Sequence, residues 1–135
     1  MRIVIDASIA LKWVIPEPDS DAANALHADE LIAPTLWLAE AANVLWRHAR
    51  LGKITAGEAF ELFATLANAP VVSVSMDAHV ERALTIAAEI NHPVYDCLYL
   101  AVAVHHGIHV MTADRRFAAA AVSAYPGQVR LLAAG

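Results

Sequence analysis

Four carboxylates stand where chemistry would be a natural use for them: Asp6, Glu40, Asp96 and Asp114. Asp6 closes the apolar run Arg2-Ile3-Val4-Ile5, and Asp114 follows the apolar run Ile108–Met111. Both runs have the β-branched content and length of buried strands. Ligands of open parallel sheets bind beyond the carboxyl ends of the strands, so both acids fall where a site would form. Each also precedes a helical pattern, as Asp96 does, and each could be an ordinary helix cap. Glu40 is different, because it lies inside a helical stretch between Leu38-Ala39 and Ala41-Ala42, where there is no cap to make. An unpaired carboxylate is costly to bury. Glu40 therefore either serves a site or rests at a helix edge in water, paired with Arg47.

Carboxylates that converge repel one another unless they are protonated or bridged by cations. An all-oxygen set with neither thiolates nor a histidine cluster suits Mg²⁺ or Mn²⁺ rather than Zn²⁺. Such a centre activates water and offsets charge on a phosphodiester under attack. Ser8 and Thr112, two residues from Asp6 and Asp114, could hold those carboxylates by hydrogen bonds or could be plain turn and cap residues. Asn43, Val44 and Arg47 share the Glu40 face by helical spacing. Lys12, Arg47, Arg50, Lys53, Arg115 and Arg116 lie on segments that carry site residues. Arg47 and Arg50 are expected on the Glu40 side. These six are candidate phosphate contacts, the alternative being a solvated surface. Trp13, Trp37 and Trp46 could stack on unpaired bases, although their apolar neighbours favour packing. His105, His106 and His109 are expected in a solvated loop at the other end of the sheet, and no His-Glu-x-x-His pattern accompanies them.

The elements that must position these residues can be read in order. After the first strand, Ile9–Ile15 reads as helical and is stopped by Pro16-Glu17-Pro18. Asp19 or Ser20 can cap a second helix to about Glu30. Leu31-Ile32-Ala33 is a brief strand, and a long helix follows from about Thr35 to Leu51, with a stripe of Leu38, Ala41, Ala42, Leu45 and Ala49. Thr55 and Glu58 form a capping box for a helix that ends before Pro70. Val71 to Ser75 is a strand, Asp77 begins a helix ending near Asn91, and Asp96 opens an apolar helix over Cys97–Val104. An alanine-rich helix after Asp114 runs to about Tyr125, and Val129 to Leu132 is a last strand. Continuously apolar strands separated by helices predict a parallel sheet covered on both faces. The expectation is one α/β/α domain over residues 1–135.

Hydrophobic residues make up 59% of the chain and mean hydropathy is +0.48. No apolar run has the length of a membrane span, so we expect a soluble protein whose excess apolar surface is covered by a partner or a second copy. Acids outnumber Lys and Arg by 14 to 9, a formal charge of −5. That balance argues against a passive nucleic-acid coat and leaves room for acids gathered in a metal site. A single cysteine, Cys97, permits no intrachain disulfide. With no signal-peptide pattern at the N-terminus, a cytoplasmic setting is expected.

The run Asp6-Ala7-Ser8 with Lys12-Trp13 and Pro16-Glu17 resembles the opening of PIN-domain ribonucleases, specifically VapC-type toxins. The resemblance continues through Glu40-Ala41-Ala42-Asn43-Val44-Leu45, Tyr95-Asp96-Cys97-Leu98-Tyr99-Leu100-Ala101 and Thr112-Ala113-Asp114-Arg115-Arg116-Phe117, in the family's order. It implies a roughly five-stranded parallel sheet between helices and Mg²⁺-dependent endonucleolytic cleavage of RNA, with Mn²⁺ as a substitute. It further implies a type II toxin–antitoxin pair, with a cognate VapB-type antitoxin blocking the site, and a homodimer or larger assembly. By this resemblance Asp6, Glu40, Asp96 and Asp114 hold the metal, Ser8 and Thr112 are its hydroxyl positions, and Asn43 is a helix asparagine near the site. Asp96 or Asp114 could position the attacking water. The segments Asp19–Glu30 and Thr55–Ala69 resemble the region that receives the antitoxin. Two other readings stand beside this one. A catalytically silent PIN scaffold differs only in activity. A receiver-like signalling domain fits poorly, since Ser73-Val74-Ser75 offers no phosphoacceptor Asp and no lysine follows Lys53.

Overall fold

Ile3, Val4 and Ile5 are all buried, with no alternation between a dry face and a wet one. That pattern belongs to a strand covered on both sides, and in the computed structural model it is the middle strand of the sheet. The structure describes residues 1–133, so the last two residues of the expected 1–135 domain lie outside it. The elements run β1 (Arg2–Ile5), α1 (Ala7–Leu11), α2 (Ser20–Ala25), β2 (Glu30–Pro34), α3 (Leu36–Arg50), α4 (Ala56–Ala67) and β3 (Val71–Val74). They continue α5 (Val80–Ile90), α6 (Val94–His106), β4 (Val110–Thr112), α7 (Arg115–Ala121) and β5 (Val129–Leu131).

All strand pairs are parallel, in the order β3-β2-β1-β4-β5. From β1 the chain steps outward twice on one side, then crosses back to place β4 on the other. Right-handed crossovers put α1 to α4 on one face and α5 to α7 on the other, giving the expected three layers. The reversal sets the carboxyl ends of β1 and β4 side by side at the topological switch point, the position at which open α/β sheets bind ligands. The last residue of β1 leads into Asp6, and β4 ends at Thr112, two residues before Asp114. Helix α6 packs on β1, β2 and β4, and every residue from Cys97 to Ala103 is buried.

Several boundaries differ from expectation for identifiable reasons. Helix α6 begins at Val94 with Pro93 as its N-cap, a position that proline tolerates because no N–H partner is needed there. Asp96 therefore lies inside the first turn and does not open the helix. Asp19 makes no capping bond, because its carboxylate is taken by Lys12. The second helix stops at Ala25, a 3₁₀ turn covers Leu26–Ala28, and Glu30 already belongs to β2. Helix α1 ends at Leu11, α5 is preceded by a 3₁₀ turn over Asp77–His79, and α7 ends at Ala121. The capping box of Thr55 and Glu58 forms as expected, with both reciprocal bonds at 3.0 Å. In α3 the buried residues are Trp37, Ala41 and Leu45. Ala42, expected in the core stripe, is exposed.

Candidate functional site

Asp6 is both a cap and the centre of a network. Its carboxylate accepts the Ile9 N–H at the start of α1, at 3.3 Å, and accepts the hydroxyls of Ser8 and Thr112 on its two oxygens. Each hydroxyl has one proton to give and lone pairs to receive with. Ser8 Oγ accordingly accepts the Ala113 N–H, and Thr112 Oγ1 accepts the Asp114 N–H, each at 3.0 Å. The seam between β1 and β4 is thus stapled through one acid. Asp6 is only 5% exposed. Burial raises its pKa to about 6, against the opposing pull of Ser8, Thr112 and the Ile9 N–H, and the Asp96 charge raises it further.

Glu40 reaches from α3 to Tyr99 of α6, whose buried hydroxyl donates to Oε1. Partial burial and the Asp96 charge raise the Glu40 pKa, while the Tyr99 hydrogen bond opposes them. The Tyr99 hydroxyl is itself pushed far up, by burial first and then by the Glu40 and Asp6 charges, so it stays a donor. Asp96 Oδ2 lies 2.7 Å from His92 Nε2, and the His92 ring stacks on Phe117 at 5.3 Å. The Asp114 carboxylate is turned toward α7, with Oδ1 accepting from the N–H groups of Arg116 and Phe117 at 2.9 and 3.3 Å.

The Asp96 charge thus reaches both Asp6 and Glu40, while Asp114 joins them through Thr112 rather than through its own carboxylate. Among the described residues, no three His, Cys, Asp or Glu side chains already surround one ion position. The donor chemistry nevertheless fits a hard divalent cation. Every candidate ligand atom is a carboxylate oxygen. Asp6 is a buried acid with no ion-pair partner among the described residues. Glu40, Asp96 and Asp114 each keep one oxygen with no protein hydrogen bond among the described residues.

The basic residues divide. Lys12 is 8% exposed, and its Nζ is 2.8 Å from both Glu17 and Asp19. It ties down the Pro16–Asp19 turn, with two of its three N–H donors directed at those carboxylates. Arg47 and Asn43 line a cleft with Glu40 and Tyr95. Arg50 does not join them. Its guanidinium lies over the Trp46 ring at 5.3 Å, because a residue ten positions from Glu40 is turned roughly 80° around the helix, against roughly 20° for Arg47. Arg115, Arg116 and Lys53 are exposed. Trp37 is buried with its N–H on Ser73 Oγ, and half-buried Trp13 donates to the Ala23 carbonyl, so both pack. His105 and His106 end α6 at the far end of the sheet and contact each other edge-on. Cys97 is buried in the core, and burial raises its thiol to about 11.

Three residues of this neighbourhood escaped the sequence reading: His92, Tyr95 and Tyr99. A signal for Tyr99 was present, since a residue three places after Asp96 shares its helix face. It was masked by the apolar run around it.

Comparison with known proteins adds independent findings. The PIN domain family matches residues 3–123. Ribonuclease VapC3 of Pyrobaculum aerophilum is 33% identical over 127 residues, covering 87% of this chain and 93% of that protein. The crystal structure of PAE2754 from the same organism superposes with a TM-score of 0.72 at 24% identity, covering 98% of this chain and 92% of that one. Mycobacterium tuberculosis VapC20, described as a Sarcin-Ricin loop cleaving toxin, gives a TM-score of 0.66 at 20% identity, over 87% and 94%. A toxin–antitoxin complex from Klebsiella pneumoniae gives 0.66 at 14%, over 98% of each chain. At these identities the three structures speak for the fold alone.

Proposed function

The chain belongs to the PIN-domain family, and from that premise we propose that it is a Mg²⁺- or Mn²⁺-dependent endoribonuclease. We further propose that it is the toxin of a type II toxin–antitoxin pair in the cytoplasm. The observation that carries the activity is the arrangement at the carboxyl ends of β1 and β4. A buried, hydrogen-bonded Asp6 and the α3 residue Glu40 both lie within reach of the Asp96 charge, and Asp114 follows β4. The sequence relative VapC3, a ribonuclease, supports RNA as the substrate; VapC20, which shares the fold, is described as a Sarcin-Ricin loop cleaving toxin.

A divalent cation held by Asp6, Glu40, Asp96 and Asp114 would lower the pKa of a water and offset charge on the scissile phosphate. Ser8 and Thr112 keep Asp6 in one orientation, so that its carboxylate need not reorganise when ligand arrives. Tyr99 and His92 do the same for Glu40 and Asp96. The free oxygen of Asp96 or Asp114 accepts a proton from the attacking water. Arg47, beside Glu40, neutralises a phosphate on the substrate strand.

Inhibition is assigned to a cognate VapB-type antitoxin. Trp46 and Phe60 are 57% and 78% exposed and line an almost wholly apolar groove between α3 and α4 with Leu45 and Phe63. Apolar surface of this kind marks a protein interface, and the Klebsiella pneumoniae relative is a toxin–antitoxin complex. Homodimerisation would cover more of the excess apolar surface.

The direct test is cleavage of an RNA panel with Mg²⁺ or Mn²⁺, with and without chelator, using wild type and folded Asp6→Asn and Asp96→Asn proteins. Metal-dependent internal cuts by wild type and loss in both variants are expected. Equal cleavage by all three would remove the acids from the mechanism, and cleavage that survives chelation would remove the cation.

A further inference from the structure

We propose that Tyr95, Asn43 and Arg47 form a subsite for a single unstacked nucleotide next to the scissile phosphate. Tyr95 stacks on the base and Arg47 holds a phosphate. This deepens, and rests on, the ribonuclease reading above.

Tyr95 is 65% exposed, although it stands one residue ahead of Asp96 on a helix whose next turns are wholly buried. It is also the exposed aromatic beside the acids. Trp37 is core, and Trp46 and Phe60 line the apolar groove. Tyr95 forms one wall of a cleft of about 350 Å³, whose other wall is α3, with Leu36, Glu40, Asn43 and Arg47. That volume is at the low end of small-ligand sites, about 300–1,000 Å³. It is on the scale of one nucleotide. Glu40 belongs to both the acid cluster and this cleft, so a strand that enters the cleft lies against the acids.

The lining supplies three complementary chemistries. Arg47 has no carboxylate within ion-pair distance among the described residues, since Glu40 is engaged by Tyr99. A free guanidinium has the fork that matches phosphate oxygens. The Asn43 amide, likewise without a hydrogen bond among the described residues, can donate and accept toward a base edge or ribose. The exposed face of Tyr95 offers stacking, which every base accepts and which therefore selects unpaired strands over any one sequence. A protein partner would find an apolar surface in the α3–α4 groove. A free cation, an amide and one aromatic beside acids favour a polyanion with flat rings.

The test measures KM and kcat of Mn²⁺-loaded wild type, Tyr95→Ala, Tyr95→Phe and Arg47→Gln on an unstructured RNA oligonucleotide and on the same sequence in a duplex. Tyr95→Ala should raise KM for the single strand roughly 5- to 100-fold, with Tyr95→Phe close to wild type because the ring remains. Arg47→Gln should raise KM and flatten its salt dependence. The rise in melting temperature with Mn²⁺ should be unchanged in Tyr95→Ala, which separates the subsite from the acids. Unchanged KM in Tyr95→Ala overturns the proposal, as does Tyr95→Phe behaving like Tyr95→Ala or a wild-type preference for duplex. So does a Tyr95→Ala defect confined to antitoxin binding. A wild type that cleaves no RNA strikes the ribonuclease reading itself, whereas active wild type with equally active Tyr95→Ala strikes only the subsite.

Discussion

Helix α3 presents two surfaces of opposite character. On one side, Glu40, Asn43 and Arg47 bring charge and an amide to a cleft of mixed lining near the acids; on the other, Ala42, Leu45, Trp46 and Ala49 meet Phe60 and Phe63 of α4 in an apolar groove. The cleft side is organised from within. Asp6 has Ser8, Thr112 and a backbone N–H, Glu40 has Tyr99, and Asp96 has His92. The groove side has no internal complement, and its largest rings stand in water. Both arrangements are unfavourable for the isolated chain, one as clustered like charge and the other as exposed apolar area. On the proposed reading each is relieved from outside, by a cation on one side and a protein on the other. A partner seated in the groove would then pack on the helix that carries Glu40.

If the two sides are separable, the largest effect comes from the acids. Asp6→Asn should lower kcat on the order of 10³-fold or more and leave partner affinity within a factor of two or so, measured by calorimetry with the cognate antitoxin. The converse change is Trp46→Glu with Phe60→Asp. Exposed aromatic anchors contribute about 2 kcal/mol or more apiece at interfaces, so the double variant should bind antitoxin on the order of 10³-fold more weakly while cleaving RNA at the wild-type rate. Loss of cleavage in the folded double variant would show that the faces are not independent.

The charge on the cleft side also makes a stability prediction with an unusual sign. Asp6 is raised to about 6 in the folded protein from an ordinary 3.8. Between those values the folded state binds more protons than the unfolded one, so metal-free stability falls as pH rises. A shift of about two units corresponds to on the order of 3 kcal/mol, present below about pH 4 and lost above about pH 6. Glu40 acts in the same direction. His79, His106 and His109, pushed down mainly by burial, act oppositely as they lose protons. The informative quantity is thus the difference between wild type and Asp6→Asn, in which the histidines cancel. From about pH 4.5 to about pH 7.5 the metal-free wild type should lose stability relative to the variant in denaturant melts. Mn²⁺ should restore more of it at the higher pH, where its ligands are deprotonated.

Much of this arrangement was legible in the chain. Two strand-like runs ending in Asp6 and near Asp114 put those acids at one edge of a parallel sheet, and a glutamate with no cap to make drew Glu40 to the same place. Other features depend on contacts that periodicity does not encode. The strand order that places the switch point between β1 and β4 follows from which strands neighbour each other, and a buried parallel strand reads the same in any position. The ion pairs of Lys12 were not legible, because Glu17 and Asp19 lie across a proline turn with no regular spacing. Asp114 was legible as a cap, a role its Oδ1 fills, while its Oδ2 has no hydrogen bond among the described residues. Tyr99 disappeared into an apolar run because a tyrosine there reads as core filler, which its ring is.

That last residue supports the smallest and most discriminating prediction. Tyr99→Phe keeps the ring, the buried area and the α6 packing, and removes only the hydroxyl that fixes Glu40 from 59 residues away in sequence. Glu40 is half-buried, so water can replace the lost donor, and the metal-free melting temperature should fall by no more than a few degrees. The loss should appear instead in metal handling. Supporting hydrogen bonds to metal ligands are worth about 10- to 100-fold in affinity, and with Glu40 partly hydrated the lower figure is expected. Titration of Mn²⁺ should show roughly tenfold weaker binding, and cleavage should recover toward the wild-type kcat as Mn²⁺ is raised. Were Tyr99 mere packing, Mn²⁺ affinity would be unchanged. Were it a proton donor in the reaction, saturating Mn²⁺ would leave kcat low. Recovery at high metal distinguishes a residue that aims a ligand from both of these.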